Sequence, residues 1–285
     1  MYKILKKQKK SELVEQIQVE APFVAARCRP GQFVIVIPRQ DGERVPLTIV
    51  DADREMGSIT LIYQIVGRST QELARLEAGD FIPEVAGPMG QPAVFHAKER
   101  VLGIAGGVGA APLYPQLREL KKRGVKVDVI IGARSKELIL LEQDFAEFAD
   151  HVYLVTNDGS AGRTGFVTDV LKELLRQGEN YDQVIAIGPV VMMRAVVEVT
   201  KPIGLRTAVS LNPIMIDGTG MCGACRLVVG DQVKFACVDG PEFDGHLVDF
   251  NLAMKRQQTY KTEEGKALLE LLEAEKSHGG CGNCN

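Results

Sequence analysis

One glycine-rich stretch carries four side chains that could bind iron. Asp217 is followed after four residues by Cys222, Cys222 is followed after two residues by Cys225, and Cys237 comes after eleven more. Plant-type [2Fe–2S] sites use the spacing Cys-x4-Cys-x2-Cys with a distant fourth Cys, and here Asp stands in the first position. A carboxylate oxygen can bind iron, and glycines let backbone N–H groups approach the sulfides. The spacing therefore favours a [2Fe–2S] cluster, which moves single electrons.

Two other interpretations of these cysteines remain open. Zinc accepts Cys-x2-Cys spacings and mixed ligands, with Asp217 or His246 as the fourth ligand. Alternatively, the cysteines are buried free thiols that only pack. The glycine-rich loop favours iron, because neither zinc binding nor packing requires it. The four histidines share no motif and are predicted to be surface or structural residues: His96, His151, His246 and His278.

Composition limits the classes of function. A length of 285 residues suggests about two domains, and a net charge of −3 with 25% charged residues indicates neither a nucleic acid nor a membrane partner. No apolar segment follows Met1, and the longest charge-free run, 101–117, is broken by glycines and prolines. Six cysteines without an export signal favour metal binding over disulfides. We expect a cytoplasmic protein.

The rest of the chain predicts the elements that position the loop. Residues 1–97 contain short alternating Val- and Ile-rich segments separated by turn residues, which predicts a small antiparallel β-barrel. In residues 98–213, apolar strands alternate with amphipathic helices, which predicts a doubly wound α/β domain with a parallel sheet. Residues 214–250 form the predicted cluster domain. Residues 251–285 are predicted to contain a helix near 263–276 and a glycine-rich tail.

Two glycine-containing turns could bind phosphate. Gly106-Gly107-Val108-Gly109 joins a strand to a helix that Pro112 is predicted to open, and the free N–H groups at such a helix start attract anions. A tight strand–helix turn explains this segment equally well, because Pro112 replaces the third glycine of the dinucleotide fingerprint. In Gly67-Arg68-Ser69-Thr70, Ser69 or Thr70 is predicted to cap a short helix, and an ordinary cap is the better explanation of the motif taken alone.

The order of these motifs resembles the ferredoxin–NADP reductase superfamily. The matching segments are the barrel with Arg44-Val45-Pro46-Leu47-Thr48, then the two glycine turns, then the cysteine loop, over residues 1–250. Within the superfamily the chain is similar to the electron-transfer subunits of dihydroorotate dehydrogenase. It is more similar to the small (alpha) subunits of NADH-dependent reduced ferredoxin:NADP oxidoreductase, also called sulfide dehydrogenase-like, which carry Asp in place of the first cluster Cys.

The resemblance implies a role for individual residues. It places Arg44 near the FAD phosphates and Thr48, as the catalytic position, near the reactive edge of the flavin. It implies further FAD contacts from Pro46, Leu47, Gly67, Ser69 and Thr70. For the nicotinamide dinucleotide it implies Gly106, Gly107, Val108 and Gly109, with Arg134, Ser135, Asn157 and Asp158 near the adenosine ribose. The metal ligands are Asp217, Cys222, Cys225 and Cys237. Ile187-Gly188-Pro189 stands where the family often has Cys-Gly-Pro.

The resemblance also implies a function. Electrons would pass between NAD(H), FAD and a [2Fe–2S] cluster to a larger flavin and iron–sulfur subunit acting on NADP and ferredoxin, in a heterodimer or larger assembly. The alternatives are a dihydroorotate dehydrogenase electron-transfer subunit, against which Asp217 argues, a stand-alone NADH:acceptor reductase, and a zinc-stabilised nucleotide-binding regulator. Arg134 and Lys136 could accept a 2′-phosphate, but the resemblance favours NAD. The terminal Cys281-Gly-Asn-Cys284 could join a partner's metal site or form a reversible disulfide, but spare thiols in the tail are the favoured interpretation.

Overall fold

The first part of the molecule is a near-closed antiparallel barrel. The computed structural model describes residues 1–278, so Cys281 and Cys284 lie outside the described residues. The barrel elements are β1 Tyr2–Ser11, β2 Val14–Glu20, α1 Pro22–Arg27, β3 Phe33–Ile37, β4 Val45–Asp53, β5 Ser58–Gln64, α2 Arg68–Ala74, β6 Phe81–Ile82 and β7 Glu84–Met89. All strand pairs are antiparallel, in the order β6-β1-β2-β5-β4-β3-β7. Alternating Ile and Val side chains fill the interior, as strands with one buried face require.

The second part is a parallel sheet with helices on its faces. Its elements are β8 Arg100–Gly106, α3 Ala110–Lys122, β9 Lys126–Ala133, α4 Glu142–Ala146, β10 His151–Thr156, β11 Arg163–Thr164, α5 Val167–Arg176, β12 Gln183–Ile187, α6 Val190–Thr200 and β13 Thr207–Ser210. Both faces of the sheet are buried, and the strands are therefore nearly continuous runs of Val and Ile. The predicted fold class, a barrel followed by a doubly wound α/β domain, is confirmed.

The third part carries the cysteine loop. It contains β14 Arg226–Val229, β15 Gln232–Phe235, α7 Ala236–Asp239, β16 Glu242–Asp244, α8 Phe250–Arg256 and α9 Lys261–His278. Strands β14 and β15 form a hairpin, whereas β16 pairs antiparallel with β13 and completes the order β11-β10-β9-β8-β12-β13-β16. A strand within the stretch predicted as the cluster domain thus extends the sheet of the preceding domain. Helix α9 packs against α2 of the barrel.

One apolar core connects all three parts. It contains Phe33 and Ile35 of β3, the sheet residue Leu102, and Cys225 and Cys237 of the cysteine loop. These side chains are at most 3% exposed. The loop cysteines are therefore held by the same close-packed interior as the barrel wall and the nucleotide sheet, and such interiors change shape little. None of the described helices is both long enough and apolar enough to cross a membrane.

The carboxyl group of Glu242 in β16 predicts a dependence of stability on pH. Its Oε2 is buried and has no hydrogen-bond partner, and burial raises the pKa of Glu242 from 4.5 to about 7. Between these values the folded protein binds a proton that the unfolded chain does not, so stability falls as pH rises through this window, by up to about 3 kcal/mol. We expect Glu242→Gln to gain stability relative to the parent protein at pH 8 but not at pH 4.5, measured by urea unfolding.

The control for this measurement is Glu12→Gln, which changes an exposed carboxyl group. Its effect on the free energy of unfolding should be the same at both pH values. An effect of Glu242→Gln that does not change with pH would contradict the prediction.

Candidate functional site

Two of the four predicted iron ligands form a buried pair. Cys225 precedes β14 and Cys237 lies in α7 directly after β15, so the hairpin brings them together. Their sulfur atoms are 3.2 Å apart, and both thiols are free. Burial raises the pKa of Cys237 well above its ordinary range, and the neighbouring Cys225 thiol raises it further. A metal ion would overcome this, because a coordinating thiol loses its proton to the ion's charge.

The other two predicted ligands, Asp217 and Cys222, lie nearer the surface. The carboxylate of Asp217 accepts hydrogen bonds from the hydroxyl and N–H groups of Thr219 and from the N–H of Met221. These bonds, that of the Thr219 side chain above all, hold the pKa of Asp217 below its usual range. The thiol of Cys222 is exposed and accepts a weak hydrogen bond from the N–H of Ala224 at 3.5 Å.

This arrangement fits a two-iron centre. Within residues 1–278, no three His, Cys, Asp or Glu side chains are grouped so that they could hold a metal ion. Instead, Cys225 and Cys237 form a buried pair, and Asp217 and Cys222 lie nearer the surface on the same loop. A [2Fe–2S] cluster takes four protein ligands, two for each iron. The loop glycines at positions 218, 220 and 223 have φ of 83°, 87° and 69°, a left-handed conformation that glycine adopts without strain.

The loop also contacts the barrel. Arg44, which precedes β4, donates from Nη1 to the carbonyl oxygen of Asp217 at 3.2 Å, and the same nitrogen is 3.6 Å from the carboxylate oxygen Oδ1. A Cβ added to Gly218 would be 2.8 Å from Cγ1 of Ile35 and 3.2 Å from Sδ of Met89. The cysteine loop therefore lies directly on the barrel wall. His246, the other candidate zinc ligand, contacts Thr200 instead.

The predicted flavin strand has two different faces. In β4, Pro46 and Thr48 pair with Ile35 and Phe33 of β3, and their side chains are half-buried on the outer face. Leu47 points the other way and packs in the barrel core, as alternation along a strand requires. Pro46 and Thr48 are thus the residues of this motif that could contact a flavin through their side chains.

The second predicted FAD element, Gly67–Thr70, starts its helix earlier than the sequence predicts. Gly67 is the N-cap residue of α2, and neither Ser69 nor Thr70 occupies that position. The hydroxyl of Thr70 instead reaches back and accepts from the N–H groups of Val66 and Gly67, because a residue at the third helical position can satisfy donors before the cap. Ser69 donates to Glu43 at 2.6 Å.

Arg68, which the sequence analysis already places near a phosphate, has charged neighbours that the sequence analysis missed, Glu72 on the same helix and Arg39 beside it. Glu72 accepts from both Arg39 and Arg68, each at 3.1 Å. Because a phosphate would meet positively charged groups here, Arg39 and Arg68 are further candidates for contacts to the FAD phosphates. The spacing of Arg68 and Glu72, four residues apart in a predicted helix, is the signal that could have identified their ion pair.

The predicted nucleotide loop lies at the carboxyl end of β8. Gly107–Gly109 form a short 3-10 turn, and α3 then begins at Ala110, so that Pro112 is the third residue of the helix and not the first. A Cβ on Gly109 would be 2.7 Å from the carbonyl carbon of Ile187 and 2.9 Å from the Cα of Gly188. The loop needs glycine because it packs against the backbone that follows β12.

The predicted ribose residues meet at the same edge of the sheet. The N–H of Asp158 donates to the carbonyl oxygen of Arg134 at 3.2 Å, so the ends of β9 and β10 are joined. Ser160, which the sequence analysis missed, donates to Asp158 and accepts from the N–H of Lys136. Its hydrogen bonds hold the pKa of Asp158 below its usual range. The turn residues Asp158-Gly-Ser160 were the available signal.

Comparison with known proteins identifies two domains. The iron–sulfur cluster binding domain of dihydroorotate dehydrogenase B matches residues 212–249, and the oxidoreductase NAD-binding domain matches residues 104–198. The dihydroorotate dehydrogenase B (NAD(+)) electron transfer subunit homolog of Thermotoga maritima is 44% identical over 261 residues, which are 92% of each chain. The chain belongs to this family of electron-transfer subunits.

Two further relatives of this electron-transfer subunit are similar over nearly their whole length. The uncharacterized protein in the adh 3′ region of Clostridium beijerinckii is 50% identical over 291 residues, covering 99% of this chain and 98% of the relative. A solved structure from work on flavin-based electron bifurcation, that of an NADH-dependent reduced ferredoxin–NADP oxidoreductase, is 41% identical. Its TM-score is 0.89, with 95% of this chain and 98% of that chain covered.

Membership in the family settles several expectations. The chain is an oxidoreductase-family electron-transfer subunit, and the predicted iron–sulfur cluster and NAD(H) are confirmed by the two domain matches. Solved structures of a ferredoxin NADP+ reductase and of a ferredoxin reductase, at 16% and 18% identity, share the fold. The iron–sulfur match favours the cluster over the zinc alternative.

The carboxylate at position 217 predicts a distinctive redox property. The iron atoms at an all-thiolate site have only soft sulfur donors, whereas Asp217 offers a hard oxygen donor. We expect Asp217→Cys to assemble a cluster with a changed midpoint potential, measured by redox titration followed by electron paramagnetic resonance. An unchanged midpoint potential in a fully loaded Asp217→Cys protein would contradict this.

Proposed function

We propose that this subunit passes electrons between NAD(H), FAD and a [2Fe–2S] cluster, and on to a larger flavin and iron–sulfur subunit that acts on NADP and ferredoxin. The two would form a heterodimer or a larger assembly in the cytoplasm. The observation that carries the proposal is the direct packing of the cysteine loop on the barrel wall, through Gly218 against Ile35 and Arg44 against Asp217. This packing supports the proposal because Asp217, a proposed iron ligand, lies beside the start of the proposed flavin strand.

Each proposed site residue has a binding or orienting role. Bound flavin supplies the conversion between a two-electron hydride and single electrons. The half-buried face formed by Pro46 and Thr48 orients the flavin ring, and Arg68 of α2 together with the neighbouring Arg39 receives the phosphates. The glycine turn at 106–109 lets the dinucleotide approach the sheet edge closely. Gly188 and Pro189 follow β12 without a thiol, so no cysteine acts at the nicotinamide from this position.

The charges at the ribose end support NAD(H) as the coenzyme. Asp158 is held ionised by Ser160 and lies beside the backbone of Arg134. A carboxylate in this position can accept hydrogen bonds from a free ribose and would repel a 2′-phosphate. Arg134 and Lys136 are positively charged neighbours. The preference for NAD(H) over NADP(H) therefore depends on the balance between the carboxylate of Asp158 and these two positive charges.

A second candidate partner is a dihydroorotate-oxidising subunit. Electron transfer subunits of dihydroorotate dehydrogenase B from Fusobacterium nucleatum and Methanocaldococcus jannaschii are 36% and 38% identical to this chain. Their similarity is only slightly lower than that of the ferredoxin–NADP oxidoreductase, at 41%. Asp217 in the first ligand position favours the ferredoxin–NADP assembly.

The test is anaerobic purification with the native partner still bound, followed by quantification of flavin, iron and zinc. We expect flavin and iron, with about two irons per chain in this subunit, and bleaching of the flavin bands on addition of NADH. Reduction of NADP by NADH and reduced ferredoxin would identify the proposed partner. Oxidation of dihydroorotate by the same preparation would identify the second candidate, and zinc without flavin would overturn both.

A further inference from the structure

Arg44 joins two proposed sites that are far apart in the sequence. It is separated by 173 positions from Asp217, whose carbonyl oxygen it binds at 3.2 Å and whose carboxylate lies 3.6 Å away. Arg44 also directly precedes β4, the strand that carries Pro46 and Thr48. One guanidinium group therefore contacts an iron-ligand candidate from the strand proposed to hold the flavin.

The contact fixes Asp217 from two sides. The neighbouring Gly218 already abuts Ile35 and Met89, so this end of the loop cannot move further toward the barrel. A guanidinium has donors in a rigid planar fork, which can bind the backbone carbonyl and face the carboxylate at once. Arg44 thereby restrains the main chain of the residue that replaces the usual first cysteine and attracts its carboxylate, which also accepts hydrogen bonds from Thr219 and Met221.

The charge of Arg44 matters in addition to its geometry. The proposed ligand set contributes one carboxylate and three thiolates, and reduction adds a further negative charge. A fixed positive charge beside Asp217 stabilises the more negative state, and solvent screens part of the effect because the Arg44 side chain is 42% exposed. Removal of the charge should therefore make the reduced form less favourable.

We propose that Arg44 is a positioning residue for the iron–sulfur centre, which orients the carboxylate of Asp217 toward iron and raises the midpoint potential of the cluster. This rests on the proposed function, in which Asp217 is an iron ligand. It differs from the role near the FAD phosphates that the motif Arg-x-Pro-Leu-Thr suggests, and the test separates the two.

A second arginine on the same loop provides a comparison. Arg256 of α8 donates from Nη2 to the carbonyl oxygen of Ala224 at 3.0 Å, between two of the cysteines. It supports the loop but does not contact Asp217. Arg256→Gln removes a charge and a backbone contact from the loop but leaves the surroundings of the carboxylate unchanged. It therefore measures how a less restrained loop alone affects the cluster.

The experiment compares Arg44→Gln, Arg44→Lys, Arg256→Gln and Arg206→Gln with the parent protein. Arg206 is exposed at the opposite edge of the sheet, before β13, and controls for loss of one positive charge. Each protein is purified anaerobically, flavin and iron are quantified, and the cluster is titrated with dithionite under electron paramagnetic resonance. The readouts are the g values and the midpoint potential, neither of which requires turnover.

We expect Arg44→Gln to reduce the ratio of reduced to oxidised cluster at a fixed potential by about tenfold, which is about 59 mV for one electron, and to change the g values. Arg44→Lys should restore most of the potential because it keeps the charge, and Arg206→Gln should match the parent. If Arg44→Gln loses its iron, restoration of iron and potential in Arg44→Lys still supports the proposal.

Three results would overturn the inference. The first is an unchanged spectrum and potential in Arg44→Gln, and the second is an equal shift in Arg256→Gln. The third is loss of FAD with an unaltered cluster, which would assign Arg44 to the FAD phosphates. A parent protein without iron would instead overturn the proposed function, so the two failures are distinguishable.

Discussion

Cys225→Ser should reduce the iron content of the subunit from about two atoms per chain to nearly none. Cys225 is 1% exposed and its sulfur lies 3.2 Å from that of Cys237, so it has the most restricted position of the predicted ligands. A serine oxygen is a harder and shorter donor, and the close-packed surroundings leave little freedom to compensate. Iron quantification and the visible absorption spectrum measure the result.

Cys28→Ser is the matched control for this prediction. Cys28 is also a buried free thiol, 7% exposed, but it lies in the barrel core and away from the cysteine loop. The control should retain its iron. Equal iron contents in the Cys225 and Cys28 variants would show that Cys225 is not a ligand.

Gly109→Ala should abolish the bleaching of the flavin by NADH and destabilise the protein by about 3 kcal/mol or more. The backbone of Gly109 has φ −61° and ψ −14°, which alanine adopts without strain. The added Cβ, however, would collide with the main chain of Ile187 and Gly188, and main-chain atoms cannot rotate away as a side chain can. Overpacking of this kind costs about 1–3 kcal/mol even where side chains can adjust.

Gly107→Ala separates steric collision from backbone strain at the same loop. Gly107 has φ +54°, but a Cβ there would meet no atom within 4 Å. We expect a cost of about 1–2 kcal/mol from the left-handed conformation alone. Urea unfolding and stopped-flow measurement of flavin bleaching compare the two variants. A smaller effect at Gly109 than at Gly107 would contradict this account of the loop.

Sequence patterns were sufficient to predict the architecture, because each pattern has a direct physical cause. Alternation in 32–38 and 58–66 predicted β3 and β5, and the buried runs near 101–105 and 184–188 predicted β8 and β12. The spacing from Asp217 to Cys237 predicted the cluster domain. These features depend on period, burial and ligand spacing, all of which can be read along the chain.

Contacts across the chain could not be predicted in the same way. The pairing of Arg44 with Asp217 and the addition of β16 to the parallel sheet join segments that share no local pattern. The helix starts at Arg68 and Ala110 also differed from expectation, because turn geometry and tertiary packing decide the first residue of a helix more than a single Pro or Thr does.

The burial of the cysteine loop is strongly asymmetric, and this sets the side from which a partner could reach it. Cys225 and Cys237 lie inside the common core, whereas Cys222 faces solvent beside Met221, which is 90% exposed. Another molecule can approach only the outer side. In the proposed function, the exposed side at Cys222 and Met221 is therefore where the partner would dock. A partner that docks on this side would accept the electrons and shield the cysteine loop from oxidants.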